Sequence, residues 1–165
     1  PSIVTKIGFK YICGYMIDED VLVGGEESGG IAVKGHIPER DGVWVALTIL
    51  EYMVKCRKSL NDLIREIYQK TGSFAMERLD LHINEELKTS VMRAAEKGEL
   101  TRFDGYRVER TESTDGFKFH LSDDSWVMIR ASGTEPVLRI YAEAPNYAEA
   151  VNILEATRTS ILQKA

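Results

Sequence analysis

The sequence has little cysteine, and this scarcity limits its chemistry. The two cysteines, Cys13 and Cys56, lie far apart, and neither belongs to a C-x-x-C pair or to a histidine cluster. A disulfide framework and a structural zinc site are therefore not expected, and we interpret both side chains as reduced thiols.

Long apolar runs are also lacking. No segment offers the roughly 20 apolar residues that a membrane-spanning helix needs, and the N-terminal stretch PSIVTKIGFK is too polar for a secretory signal. We therefore predict a cytoplasmic protein with no membrane partner. The chain begins with Pro1 instead of Met, which suggests that it is cut from something longer.

An excess of positive charge is the third absence. The chain has 21 Lys and Arg against 26 Asp and Glu, a net charge of -5, and its basic residues are scattered among acids. Nucleic-acid surfaces need clustered Lys and Arg, so a nucleic-acid partner is not expected. With 44% hydrophobic and 28% charged residues, the composition is that of a soluble globular protein.

The first part of the chain is predicted to be α/β. Apolar residues at helical spacing predict a helix over residues 6–17, and Val21 to Val23 predict a short buried strand that leads into a glycine-rich loop. Asp41 is expected to cap a long helix, and Ser59 with Asp62 forms a capping box for another helix that ends at Gly72.

In the second part the apolar period changes to two. A strand is predicted over residues 74–83, followed by a helix that Asn84 caps. Four further strands are predicted in GYRVERT, GFKFHL, SWVMIRA and PVLRIYAEA, and Asn146 with Glu149 caps a last helix. We place the domain boundary between Tyr68 and Arg78, which gives domains of residues 1–72 and 77–165.

The loop GGEESGG, residues 24–30, is the first candidate binding site. Its four glycines let a backbone approach a ligand closely, while Glu26, Glu27 and Ser28 offer two carboxylates and a hydroxyl. This chemistry suits the vicinal hydroxyls of a sugar and suits a phosphate poorly, because carboxylates repel anions. The alternative is a flexible surface turn with solvated acids.

The loop RASGTEP, residues 130–136, is the second candidate. Arg130 offers a forked guanidinium, Ser132 and Thr134 offer hydroxyls, and Gly133 offers an unobstructed backbone N–H. This donor set predicts a phosphate site, to which Arg139 could add charge from the next strand. The alternative is a hairpin turn whose arginine pairs with Glu135.

The three histidines receive different interpretations. His82 and His120 alternate with apolar residues, so we expect them on strand surfaces. His36 lies a few residues after the glycine-rich loop, where it could either position a ligand or serve the local structure.

The two loops together resemble the C-terminal half of the α-D-phosphohexomutases, the phosphoglucomutase and phosphomannomutase family. GGEESGG is similar to that family's sugar-binding loop, G-E-x-S-G, and RASGTEP to its phosphate-binding loop, R-x-S-[GN]-T-x-P. The segment GHIPERDG leading into a long helix adds to the resemblance. It implies a truncated third α/β domain followed by a fourth domain, an antiparallel sheet with helices on one side.

The resemblance also implies roles for individual residues. Glu26 and Ser28 fall where the family contacts sugar hydroxyls, and a second group falls where it holds the phosphate that is not transferred: Arg130, Ser132, Gly133 and Thr134. Further substrate contacts are expected from Lys10, His36, Arg40 and Arg139.

Two family motifs have no counterpart here. The phosphoserine loop and the D-G-D-x-D-R magnesium loop belong to the first two family domains, and neither occurs in this sequence. No catalytic and no metal-binding residue is therefore expected, and the chain alone should be inactive. The parent enzyme would supply Mg²⁺ through its missing N-terminal domains and use a hexose 1,6-bisphosphate as activator and intermediate.

Several questions stay open at the level of sequence. The sugar loop ends in Gly30 where mannose- and glucosamine-phosphate mutases usually have histidine, which favours a phosphoglucomutase and leaves mannose phosphate open. The chain could instead be a stand-alone phosphosugar-binding module or a structural fragment without affinity. A truncated domain would also leave apolar surface uncovered, so we expect self-association or disorder before residue 40.

Overall fold

The computed structural model describes residues 2–26 and 28–163. Their contacts divide the chain into two compact units, residues 1–70 and residues 71–165. The predicted fold class is confirmed: an α/β unit is followed by an antiparallel sheet with helices.

The first unit consists of three helices and a small hairpin. Helix α1 spans Phe9–Asp18, strands β1 (Val23–Gly25) and β2 (Ile31–Val33) pair antiparallel, and helices α2 (Gly42–Cys56) and α3 (Leu60–Thr71) follow. The prediction that a lone strand precedes the glycine-rich loop was incomplete, because the loop is the turn between β1 and β2. Period alone could not identify β2, which is only three residues long.

Local hydrogen bonds explain where the helices of this unit begin. The side chain of Asp41 accepts a hydrogen bond from the backbone N–H of Trp44 at 2.9 Å, which caps α2 as predicted. The predicted capping box of α3 is also present: Asp62 N–H donates to Ser59 Oγ at 3.2 Å, and Ser59 N–H donates to the Asp62 carboxylate at 3.0 Å. The helix predicted from residue 6 begins later, at Phe9, because it follows Gly8, whose φ is +124°.

The second unit is built on a five-stranded antiparallel sheet. Its strands are β3 (Ala75–His82), β6 (Arg110–Glu112), β7 (Phe117–His120), β8 (Trp126–Ala131) and β9 (Val137–Ala144), in the order β3-β9-β8-β7-β6. The segment GYRVERT, predicted as one strand, is divided: β5 (Tyr106–Arg107) pairs with β4 (Arg102–Phe103) in a separate hairpin, and β6 joins the sheet.

Two helices complete the second unit, α4 (Glu85–Glu96) and α5 (Tyr147–Leu162). Asn84 and Asn146 cap them through hydrogen bonds of 2.8 and 3.0 Å from Leu87 N–H and Glu149 N–H. Apolar residues of both helices share one buried core with alternate strand residues such as Val127, Ile129 and Ile140. The other alternate residues form the outer face of the sheet, which includes Arg78, Met128, Arg130, Arg139 and Tyr141.

Candidate functional site

The glycine-rich loop is a closed turn. Glu26 N–H donates to Gly30 O at 2.9 Å and Gly29 N–H donates to Glu26 O at 3.0 Å, so the chain reverses within five residues. Gly29 has a φ of +91°, which favours glycine, and Ser28 is exposed at the turn. Glu27 lies outside the described residues.

Two of the loop's glycines make room for the protein's own side chains. A Cβ atom on Gly24 would lie 2.2 Å from Cγ2 of Ile12, and one on Gly30 would lie 2.5 Å from Cδ of Arg40. Gly24 therefore allows α1 to pack against β1, and Gly30 allows Arg40 to cross the turn. This differs from the expectation that the glycines serve close approach of a ligand.

Glu26 is the best-fixed polar side chain of this loop. Its side chain is only 13% exposed, and its carboxylate accepts hydrogen bonds from Gly8 N–H at 3.2 Å and from Arg40 Nη1 at 3.4 Å. The guanidinium of Arg40 also lies 5.1 Å from the ring centroid of Phe9. The structure thus brings together Glu26 and Arg40, two of the predicted contact residues.

A cavity of about 740 Å³ adjoins the loop and is lined by Glu26 together with Gly24, Gly25 and Lys6. Lys6 was missed at the level of sequence because it was assigned to a helix. The signal that could have located it is Gly8, since a glycine there favours an interruption that leaves Lys6 in an extended segment beside the loop.

Lys10 and His36 are not among the residues described around this cavity. The ammonium of Lys10 lies 5.0 Å from the ring centroid of Tyr11. His36 stacks on Trp44 with ring centroids 4.6 Å apart, and its Nε2 lies 2.9 Å from a carboxylate oxygen of Asp41. The Trp44 amide first, and His36 second, lower the pKa of Asp41, the residue that caps α2.

The second loop connects β8 to β9 by a short bridge. Ser132 N–H donates to Val137 O at 2.9 Å, and Val137 N–H donates to Glu135 O at 2.8 Å. Ser132 is buried, whereas Gly133 and Thr134 are exposed. Within residues 2–26 and 28–163, the backbone amides of Gly133 and Thr134 have no hydrogen-bond partner. They are therefore free to bind a ligand.

Arg130 stands at the end of β8 and is held in place by the outer face. Its side chain is 18% exposed, its Nη2 donates to the Tyr141 hydroxyl at 3.5 Å, and its Nη1 lies 4.0 Å from an Asp115 carboxylate oxygen. Glu135, the partner considered in the hairpin alternative, lies instead 3.9 Å from Arg139.

Arg139 adds a second guanidinium at the same place. It pairs in register with Arg130 across β8 and β9, so both side chains belong to the outer face. Its Nε atom is buried and has no hydrogen-bond partner among the described residues. Like charges directly opposite each other in a sheet destabilise it, so the two guanidinium groups gain from nearby negative charge.

Asp80 lies opposite Arg139 on the other neighbouring strand. Its carboxylate accepts a hydrogen bond of 2.7 Å from Nε of Arg78, and this interaction is the main cause that lowers the pKa of Asp80. The charge of Arg139 is another of the causes that lower the pKa of Asp80. Each arginine of the pair also has an acidic residue at the limit of an ion pair, Asp115 at 4.0 Å from Arg130 and Glu135 at 3.9 Å from Arg139.

The described residues contain no group of three or more His, Cys, Asp or Glu side chains arranged to hold a metal ion. In the same part of the chain, every helix is too short or too polar to cross a membrane.

Both units match domains of one family. Residues 1–71 match "Phosphoglucomutase/phosphomannomutase, alpha/beta/alpha domain III", and residues 85–160 match "Phosphoglucomutase/phosphomannomutase, C-terminal domain".

Curated relatives agree with these domain matches. The chain is 34% identical over 151 residues to a phosphoglucomutase/phosphomannomutase of Thermococcus kodakarensis, with 92% of this chain and 31% of the relative covered. It is 33% identical over 155 residues to a phosphoglucosamine mutase of Methanocaldococcus jannaschii, with 92% and 32% covered. The chain thus spans about a third of the length of the curated relatives that it matches.

A solved structure has the same fold. A phosphomannomutase-type protein of Thermus thermophilus superimposes with a TM-score of 0.72 at 29% identity, covering 94% of this chain and 30% of that one. The chain belongs to the phosphoglucomutase/phosphomannomutase family, and its two parts correspond to domain III and the C-terminal domain.

Proposed function

We propose that this chain is the substrate-orienting part of a phosphohexomutase that interconverts hexose 1-phosphate and hexose 6-phosphate. The observation that carries the proposal is the loop of residues 132–136, where the free amides of Gly133 and Thr134 lie beside the facing arginines Arg130 and Arg139. Backbone N–H groups and guanidinium groups together form the donor set that phosphate binding uses.

Within this proposal each loop has its own role. Glu26 and Ser28 contact sugar hydroxyls, with Arg40 beside Glu26, whereas Arg130, Ser132, Gly133 and Thr134 hold the phosphate that is not transferred. Residues 1–72 serve as the end of the third domain and residues 77–165 as the fourth. Holding the distal phosphate fixes the orientation of the reacting end, which is the use of remote binding energy in catalysis.

Catalysis itself requires groups outside this chain. The family resemblance assigns the phosphoserine and the Mg²⁺ ligands to N-terminal domains that the chain does not include, and the described residues offer no metal-binding cluster. Mg²⁺ would neutralise charge on the transferred phosphoryl group when bound there. We therefore propose that the chain alone is inactive. We also propose that the whole enzyme is cytoplasmic and uses a hexose 1,6-bisphosphate.

The preferred sugar is proposed to be glucose phosphate. The basis is Gly30, which ends the sugar loop without the histidine usual in mannose- and glucosamine-type mutases. Mannose phosphate is the second candidate, and glucosamine phosphate is the third because some relatives are phosphoglucosamine mutases.

Kinetics of the complete enzyme test the main proposal. Arg130→Ala removes a guanidinium that binds a charged ligand, so kcat/KM should fall by about 10- to 100-fold with a higher KM. The matched control is Arg158→Ala on α5, whose side chain is exposed and pairs with Glu155. Kinetics of Arg130→Ala equal to those of the control would contradict the proposal.

A stand-alone phosphosugar-binding module is the second candidate function, favoured because the whole loop of residues 132–136 lies within one compact unit. An NMR amide titration with glucose 1-phosphate, inorganic phosphate and glucose would test it. Binding well below millimolar is expected for such a module, with shifts at Gly133 and Thr134 for both phosphates. A silent titration would exclude it.

Self-association is proposed for the isolated chain because the first unit exposes apolar side chains, among them Ile17, Val43, Leu47 and Val54. Sedimentation should show species larger than a monomer, or hydrogen exchange should show weak protection before residue 40. A monomer with full amide protection in that segment would refute this proposal.

A further inference from the structure

Lys88 lies beneath the loop of residues 132–136, although 44 positions separate it from Ser132 in the sequence. It stands in the first half of α4, and its side chain is only 13% exposed. Lysine is rarely so deeply buried unless it is paired. The surroundings of Lys88 therefore need an explanation.

The ammonium group of Lys88 has three described partners. It donates to Ser132 O at 3.1 Å, to Glu135 O at 3.0 Å and to a carboxylate oxygen of Glu85 at 2.8 Å. An ammonium group has three donors, so this set uses all of them. Two of the three bonds go to backbone carbonyls at the two ends of the candidate phosphate loop.

The helix explains the position of Lys88 only in part, through the i,i+3 ion pair with Glu85. A positive charge near a helix N-terminus opposes the helix dipole, and the first turn of α4 otherwise carries the acidic residues Glu85 and Glu86. The two carbonyls of the loop account for the lysine better than the helix does.

Because the peptide bond is planar, the contact of Lys88 with the Ser132 carbonyl also fixes the direction of the Gly133 N–H. In a trans peptide the C=O and the following N–H point in opposite directions, and the described chain contains no cis peptide bond. The Ser132 carbonyl points to Lys88, so the Gly133 N–H that follows it points away from Lys88. This is one of the two unpartnered amides of the loop.

We infer that Lys88 is the positioning residue of the phosphate site, which fixes the loop from behind so that the Gly133 N–H faces the ligand. The inference rests on the proposed function, because it assigns Lys88 to the same anion site. Lys88 does not contact the phosphate; it acts through the Ser132 and Glu135 carbonyls.

The test uses the 165-residue chain, inorganic phosphate as the probe and three variants. Lys88→Met removes all three bonds, so phosphate binding, followed at the Gly133 amide by NMR, should weaken about tenfold. Lys88→Arg keeps the positive charge but replaces the compact ammonium group by a larger planar guanidinium, and its affinity should lie between those of Lys88→Met and the wild type. Lys97→Met is the matched control at the other end of α4, where the side chain is exposed, and should bind like the wild type.

Loop order distinguishes positioning from a general loss of stability. Heteronuclear relaxation at Gly133 and Thr134 should show faster motion in Lys88→Met, while the core amides of Leu138 and Ile140 stay as rigid as in the wild type. In the wild type, which needs no variant to fold, the Lys88 ammonium signal should shift when phosphate binds.

The outcomes separate the two proposals. A wild-type chain whose loop amides do not respond to phosphate contradicts the proposed function, and the Lys88 inference falls with it. If the wild type binds phosphate normally, two results would overturn the Lys88 inference alone. One is an equal phosphate affinity in Lys88→Met, and the other is a Lys88 ammonium signal that does not shift when phosphate binds.

Discussion

The two units differ in how much apolar surface they bury. In the described part of residues 1–70, the buried apolar side chains are Phe9 and Ala32, whereas the second unit has a continuous core across its sheet and two helices. Exposed large apolar residues show the opposite distribution and lie mostly in the first unit. Burial of apolar area is the main stabilising contribution, so the second unit should be the more stable one.

Helix α2 is an example of the low burial of apolar residues in the first unit. It is apolar on most sides and well capped, yet none of its described residues is buried. A helix that is apolar all round is normally covered by other parts of a protein. Capping and hairpin formation therefore specify the elements of the first unit, while packing holds the second unit together.

The largest expected effect is a cavity in the second unit. Ile140→Ala removes a side chain with no exposed surface from the centre of β9, and should lower the free energy of unfolding by about 2–5 kcal/mol. The control Leu47→Ala, at a position 61% exposed on α2, should change it by less than about 0.5 kcal/mol. Trp126 and Trp44 report on the two units separately in denaturant titrations.

If Ile140→Ala and Leu47→Ala lowered the free energy of unfolding by similar amounts, the inferred difference in burial between the two units would be contradicted. Such a result would mean that α2 is packed in solution, for instance against a second copy of the chain. Repeating the titration at several protein concentrations would show this directly, because stability gained by association depends on concentration.

The next largest expected effect on stability comes from substituting two glycines that have positive φ. Gly116 has a φ of +74°, and a Cβ atom there would lie 2.7 Å from the carbonyl oxygen of Ile129. Gly116→Ala should destabilise the second unit by about 1–3 kcal/mol. Gly35→Ala, at φ +93° in open space, carries the backbone strain without the clash and should cost about 1–2 kcal/mol.

Thermal unfolding of the two glycine variants checks this difference. Because Gly116 approaches Arg130 as well as Ile129, its substitution should also disturb the amides around Arg130 in NMR spectra. Equal effects of the two variants on stability would show that neighbouring packing matters no more in the second unit than in the first.

Helix caps should contribute similarly in both units, because they act locally. Asn84→Ala in the second unit and Ser59→Ala in the first each remove a side-chain cap, and each should cost its own unit about 1 kcal/mol. Ser90→Ala, on the exposed side of α4, is the control without a cap and should be nearly neutral. Amide exchange in α3 and α4 measures each loss, and an equal effect of Asn84→Ala on both helices would contradict a local action of the cap.

The smallest expected effect is a pH dependence of the free energy of unfolding that comes from His120. Partial burial, and then Arg110, lower the pKa of His120 below its ordinary value of 6.5, while nearby Glu112 opposes this. The folded state then binds fewer protons than the unfolded state, so stability is fully present above pH 6.5 and is lost as pH falls through the lower folded-state pKa.

Unfolding at several pH values compares His120→Gln with the control His82→Gln, which removes an exposed histidine from β3. His120→Gln should reduce the pH dependence of the free energy of unfolding below pH 6.5, and His82→Gln should leave that dependence as in the wild type. The same slope in both variants would contradict the assignment to His120.

Much of the fold could be predicted where the determinants are local. The caps at Asp41, Ser59, Asn84 and Asn146 were identified correctly because a cap is a hydrogen bond to a residue two or three positions away. The strand predicted over residues 74–83 and the two strands around RASGTEP were also confirmed, since apolar residues recur at most alternate positions along them.

The features that sequence could not supply depend on residues far apart. The contact of Lys88 with Ser132, 44 positions away, follows from the tertiary fold. The motifs identified the family, which the domain matches confirmed. The roles of the individual site residues stay predictions.

The pairing of β3 with β9 has a consequence for synthesis. Residue 75 pairs with residue 144 and residue 82 with residue 137, so the first strand of the sheet gains its partner only when the last strand has left the ribosome. Until then β3 is an unpaired strand that other chains could join. Its alternating Arg78 and Asp80, exposed in the folded protein, place charge on that strand and oppose such pairing while the chain is still growing.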